Sequence, residues 1–291
     1  MAKRKAFLHV GPPRTGGGFL DSALTEHAAA LEAMGVGHPA ISTEEMFRAA
    51  IEIRRDHKAW GYQRREVEGT WAGICRRAQK GRHDAVFSQE LLAACTPAQI
   101  DLLLDGLHGF AVHVVVTACE PGSQLLPDWM GPDLGDVLRT WSPVVRPDRL
   151  HVVVAPDTDR ERFVWRAFGE IVGFDADRLP LAPQWTATRP VPQRAYPDLL
   201  EVGERWRKQL ADGGYDVHGD CAALLPVEGA DAGDQEVAGT EVVSTGALAD
   251  VLAEVTRLRA HNQALEERAA KLERKRRKLK QRLAAPGERP S

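Results

Sequence analysis

Eight consecutive residues near the start of the chain, Gly11-Pro12-Pro13-Arg14-Thr15-Gly16-Gly17-Gly18, combine four glycines with one cation and one hydroxyl. Backbone amides in such a loop can converge on a single anion, and phosphate is the anion they suit above all. Glycine serves here because some loop residues take positive φ and because a Cβ would hold the anion away from the amides. A tight strand-to-helix turn without a ligand is the plainer alternative, although it needs fewer glycines. The spacing departs from the Gly-x4-Gly-Lys-Ser/Thr phosphate loop. Gly11 and Gly16 fit, but Gly17 and Gly18 stand where the lysine and the magnesium-binding hydroxyl belong. Hydrolysis of ATP or GTP is therefore not expected.

Other reactive side chains are scattered. The ten histidines show no metal-ligand spacing, and His9, His113 and His151 fall in predicted strands, where a satisfied core or edge imidazole is the expectation. Cys75, Cys95, Cys119 and Cys221 form no C-x-x-C pair, which argues against zinc and against a disulfide framework. Their scatter points instead to a reducing, cytoplasmic setting. The seven tryptophans form no stacking platform and read as core.

The elements that must position the loop follow from periodicity. Near-continuous apolar runs at 6–10, 85–88, 111–117 and 150–155 predict strands buried on both faces. Phe19, Leu20, Ala23, Leu24 and His27 line one face of a helix directly after the loop. Ser42-x-x-Glu45 and Thr96-Pro97-x-Gln99 read as capping boxes for helices over 44–59 and 97–107. Thr158-x-x-Glu161 opens a third helix bearing Phe163, Ala167, Phe168 and Ile171. Residues 198–211 form a fourth, carrying Leu199, Leu200, Trp206 and Leu210 between a proline-rich stretch at 180–197 and the end of the globular part near 226. Strands alternating with helices predict an α/β fold with an open parallel sheet, whose ligands bind at the carboxyl ends of the strands. Those ends are 11–18, 88–90, 117–123 and 155–159.

The run Phe7-Leu8-His9-Val10-Gly11-Pro12-Pro13-Arg14-Thr15-Gly16 resembles the opening of bacterial P-loop sulfotransferases of the actinobacterial type. The likeness continues through Val86-Phe87-Ser88-Gln89-Glu90-Leu91-Leu92, Val114-Val115-Val116-Thr117-Ala118, Arg149-Leu150-His151-Val152-Val153 and Gly214-Tyr215-Asp216-Val217-His218-Gly219-Asp220, spanning about residues 5–226. It implies a P-loop-type sheet in which Gly11, Pro13, Arg14, Thr15, Gly16, Gly17 and Gly18 hold the 5′-phosphate of the donor 3′-phosphoadenylyl sulfate (PAPS), with no metal. In-line sulfuryl transfer to an acceptor hydroxyl or amine would follow, with Arg14 neutralising charge on the transferred group.

The family's general base sits at the second strand end, often within Ser-His-Glu. Gln89 cannot accept a proton, so Glu90 is the candidate here, with a carboxylate facing a helix N-terminus as the other reading. Family members place an arginine for the 3′-phosphate where this chain has Cys119, and a serine where it has Pro127. Arg14 replaces the usual lysine. These departures keep open a second reading: a catalytically degenerate relative that acts as a coiled-coil-dimerised interaction or scaffold protein. Cys119→Arg would then report whether the donor site is merely eroded.

Composition bounds the rest. The chain has 291 residues, 43% hydrophobic and 27% charged, enough for a full core. Lys3-Arg4-Lys5 is followed by too short an apolar run for a signal peptide, and no run approaches a membrane span. Residues 247–291 carry twelve Lys/Arg against six Asp/Glu, a local +6 that leaves −9 for the rest of a chain of net charge −3. The predicted division is a sulfotransferase-like domain at 1–226, a linker at 227–246, a coiled coil at 247–285 and a disordered tail at 286–291. The coil rests on heptad positions d filled by Val251, Leu258, Leu265, Leu272 and Leu279, with Asn262 at an a position favouring a parallel homodimer. The basic cluster at 274–280 lacks interleaved aromatics, so nucleic acid is not an expected partner.

Overall fold

The computed structural model describes residues 3–124, 131–181 and 196–226. The chain divides into two units, the first covering residues 1–58 and 62–233. The predicted linker, coiled coil and tail, together with Pro127 and most of the proline-rich segment, lie outside the described residues.

Six strands form one parallel sheet: β1 (Lys5–His9), β2 (Val36–Gly37), β3 (Asp84–Ser88), β4 (Ala111–Ala118), β5 (Leu150–Val154) and β6 (Asp216–His218), in the order β2-β3-β1-β4-β5-β6. β1 pairs with β3 on one side and β4 on the other, Phe7 lying opposite Val86 and His113. The chain completes β2 and β3 on one side of β1 before crossing to β4, β5 and β6. The order therefore reverses at β1, and the loop that leaves its carboxyl end opens at the switch point.

Alternation along each strand sends side chains to two cores. Ala6, Leu8, Val114, Val116, Val152 and Val154 pack in one. Against them lie Met46 and Ile53 of α3 (Thr43–Arg54), Ile74 of α5 (Thr70–Lys80; the single turn α4 is Arg64–Val67), Leu103 of α6 (Pro97–Asp105), Trp141 of α8 (Leu134–Trp141; α7 is Pro121–Gln124) and Trp206 of α10 (Tyr196–Gly213). Phe7, Val86, Val115 and Val153 point the other way. They meet Leu20 and Leu24 of α1 (Leu20–Glu26), Leu31 of α2 (Ala28–Ala33), and Val164 and Phe168 of α9 (Arg160–Val172). Helices on both faces explain why the strands read as unbroken apolar runs. Trp71, Trp141, Trp165 and Trp206 are buried, as expected of core tryptophans.

Helix boundaries and one capping box differ from the sequence expectation. α3 stops at Arg54 rather than 59 because Arg55 turns left-handed at φ 58°. Ser42 caps it by accepting from the Glu45 amide, but the Glu45 carboxylate reaches past Ser42 to the Ile41 amide and to Arg77, so no reciprocal box forms. α9 starts at Arg160 without a side-chain cap, since Asp159 is left-handed at φ 52°. The Thr96–Gln99 box does form, with Pro97 in the first turn of α6. β2 and β6, of two and three residues, are too short for any periodicity to reveal. Among the described residues no helix is long and apolar enough to cross a membrane. All four cysteines carry free thiols.

Candidate functional site

The loop between β1 and α1 rests on a buried chain of polar groups. His9 Nδ1 lies 2.8 Å from Ser88 Oγ, His9 Nε2 lies 3.1 Å from Thr117 Oγ1, and Thr117 Oγ1 lies 2.6 Å from Thr15 Oγ1. Thr15 donates its hydroxyl to the Pro12 carbonyl at 2.6 Å, which fixes every other proton. Thr117 must donate to Thr15, His9 must donate from Nε2 to Thr117, and Ser88 must donate to His9 Nδ1. His9 is fully buried, and desolvation pushes its pKa down to about 3, so the imidazole stays neutral. It is the satisfied core histidine that its place in a strand suggests. Thr117→Val would leave the His9 Nε2–H without an acceptor. It should lower stability by about 1–3 kcal/mol, read as an earlier denaturation midpoint; an unchanged midpoint would show that the network does not hold the loop.

This scaffold explains the glycines by contact. A Cβ on Gly11 would sit 2.1 Å from Thr117 Oγ1, and one on Gly17 would sit 2.6 Å from His9 Nε2. Gly16 has φ 89°, and a Cβ there would lie 2.6 Å from Arg160 Cγ. Gly18, by contrast, is exposed. Arg14 also takes a left-handed φ of 69°, an uncommon conformation for a residue with a side chain. Its guanidinium is exposed and has no partner among the described residues. Pro13 is half-buried, and the Thr15 side chain is consumed internally. Among the described residues, the amides of Gly16, Gly17, Gly18 and Phe19 donate to no acceptor. Backbone N–H groups without a protein acceptor are free to take one from outside the chain.

Glu90 meets this loop from the 3-10 turn that follows β3. Ser88 is spent on His9, and Gln89 caps the following turn by accepting from the Leu91 amide. That leaves Glu90, whose carboxyl oxygens lie 3.4 and 3.5 Å from where a Cβ on Gly18 would be. Its buried Oε1 has no hydrogen-bond partner among the described residues. Desolvation raises its pKa to about 7. Glu90 opens the 3-10 turn Glu90–Ala94, as the helix-terminus reading has it, but its carboxyl accepts no amide hydrogen bond among the described residues. Glu90 and Arg14 do not form an ion pair.

Two further groups at the loop escaped the sequence reading. Asp21, in the first turn of α1, has an unpartnered buried oxygen and a pKa raised by desolvation to about 7. Arg160 is buried beneath the loop, donating to the Arg14 carbonyl at 3.4 Å and the Pro156 carbonyl at 3.2 Å while pairing with Asp157 at 3.0 Å. Its position just after a strand end was the available signal, hidden by the capping pattern at Thr158-x-x-Glu161. Cys119 is fully buried; its thiol faces the Arg14 carbonyl at 3.6 Å, and burial pushes its pKa up to about 12. It brings no charge to the site, and Cys119→Arg would crowd a second guanidinium against Arg160.

Comparison with protein-family models, with curated proteins and with solved structures finds no match to this chain.

Proposed function

We propose that residues 11–19 bind a phosphorylated nucleotide and that the domain transfers a sulfuryl group from PAPS to an acceptor hydroxyl or amine. The observation that carries this reading is the placement of an unpaired, desolvated carboxyl beside a loop whose amides have no acceptor. The loop amides and Arg14 would take the 5′-phosphate of the donor. Arg160, already paired with Asp157 beneath the loop, would lend positive charge near Cys119. The donor contributes the activated sulfuryl group. Glu90 would take the proton of the acceptor as the acceptor–sulfur bond forms and the sulfur–oxygen bond to the phosphate breaks. The leaving phosphate stays held by the loop. A base is most effective when its pKa lies near the working pH, and Glu90 is at about 7. Positioning and charge neutralisation supply the rest.

The buried, uncharged Cys119 favours a second reading, in which a catalytically degenerate domain keeps the fold and the heptads at 247–285 dimerise it as a scaffold. Titration with adenosine 3′,5′-bisphosphate (PAP), followed by thermal melting, separates the two. A ligand at a hundredfold excess over its dissociation constant adds about 2.7 kcal/mol, which should raise the melting temperature by about 5–10 °C. No shift at millimolar PAP would remove the enzyme reading and leave the scaffold.

A further inference from the structure

At the amino end of the same sheet face, away from the loop, β5 and β6 bring together three groups that the function above does not use. His151 Nδ1 lies 2.6 Å from Asp216 Oδ2, and His218 Nε2 lies 2.9 Å from the same oxygen. The three potential ligand atoms lie within 4.8 Å of one another. The register places His151 opposite Asp216 and Val153 opposite His218, so all three project from one face of adjacent strands. Their exposure is graded: His151 is buried, His218 half-buried and the Asp216 side chain 48% exposed, so the cluster opens to solvent on one side. Behind it, His113 Nδ1 lies 2.9 Å from His151 Nε2, and the two rings stack with centroids 5.2 Å apart.

We propose that His151, Asp216 and His218 bind one zinc ion that staples the edge strand β6 to β5. Two imidazoles and a carboxylate are the borderline donor set zinc favours, and three protein ligands leave a fourth, tetrahedral position for water on the open side. Zinc bonds of about 2.1 Å set tetrahedral ligand atoms about 3.4 Å apart, so the cluster needs to open by less than an ångström at each hydrogen bond. In the metal-free cluster both imidazoles donate to Asp216. Binding moves each of those protons to the other ring nitrogen, with no net change in charge on the rings. His151 then donates from Nε2 to His113 Nδ1, the second-layer hydrogen bond that orients a ligating imidazole. The His113 proton passes to its own Nε2. A three-residue edge strand has little pairing of its own, so a bond across to β5 is where a metal would add most to stability.

The test uses the full chain. Zn²⁺ is titrated by calorimetry, and Co²⁺ by visible absorption, into wild type, His218→Ala and Asp216→Asn. Wild type should bind one equivalent, show the intense bands of tetrahedral Co²⁺ and melt at a higher temperature with Zn²⁺ than with EDTA. Each variant should bind more than about 100-fold more weakly and lose the zinc-dependent melting shift. Both altered side chains are partly exposed, and circular dichroism checks that the variants remain folded. Wild type without a zinc-dependent shift, or variants that bind as tightly as wild type, would overturn the assignment and place any bound zinc elsewhere among the ten histidines.

Discussion

Replacing Glu90 by Gln should slow the release of PAP from PAPS by about 10²–10⁴-fold, the contribution of a positioned general base. The same change should make the protein more stable. The Glu90 pKa of about 7 in the fold exceeds its ordinary 4.5, so the folded state holds this proton more tightly than the unfolded chain does. The stability tied to the protonated carboxyl is complete below pH 4.5 and is lost as the pH rises through 7. Gln carries no charge at any pH. Glu90→Gln should therefore match wild type near pH 4 and exceed it above pH 7 by on the order of 3 kcal/mol. PAP binding adds a third readout. An anion in the loop opposes ionisation of a carboxyl beside Gly18, so the variant should bind PAP at least as tightly as wild type at pH 8. Retained turnover would remove Glu90 as the base. Weakened PAP binding would make it a positioning residue for the loop.

Gly11→Ala should be the most damaging single methyl group in the loop. The added Cβ would lie 2.1 Å from Thr117 Oγ1 and 2.8 Å from both the Thr117 backbone nitrogen and His9 Nε2. A flexible side chain can swing aside, but a strand amide and a fully buried imidazole cannot without displacing β4 from β1. Overpacking of this kind costs about 3 kcal/mol, which lowers the melting temperature by about 6–12 °C for a domain of this size. The loop would also lose its seat on Thr117, and with it the thermal shift induced by PAP. The control is a methyl at Gly109, where φ is 92° but a Cβ would meet nothing within 4 Å. That change stores backbone strain without touching the site, so PAP should still stabilise the variant. Equal PAP shifts in both variants would mean that the loop does not depend on the His9–Thr117 support.

Much of the fold is legible in the chain because burial on both faces leaves a strong mark. Four apolar runs give β1, β3, β4 and β5 to within a residue or two, and Thr96-Pro97-x-Gln99 gives the start of α6. Glu90 stands out as a strand-end carboxyl through the family resemblance once Gln89 is set aside, but its lack of a partner is not legible there. Other features rest on contacts that no local pattern encodes. α3 ends where Arg55 turns left-handed, and α9 begins where Arg160 reaches back to the loop. The glycines invite a phosphate reading from their number alone. The structure shows that Gly11 and Gly17 are also required by the His9–Thr117 pair beneath them, groups that lie 108 residues apart.

The alternation of strands and helices, the place of the glycine loop and a carboxyl at a neighbouring strand end are all written locally, because periodicity and strand-end placement are local properties. Which side chains share a site depends on contacts between distant segments. His151 meets Asp216 across 65 residues, and Arg160 meets Arg14 across 146. Strand order is set by how the two apolar faces are covered, a property of the packed whole. No spacing within a single segment records it.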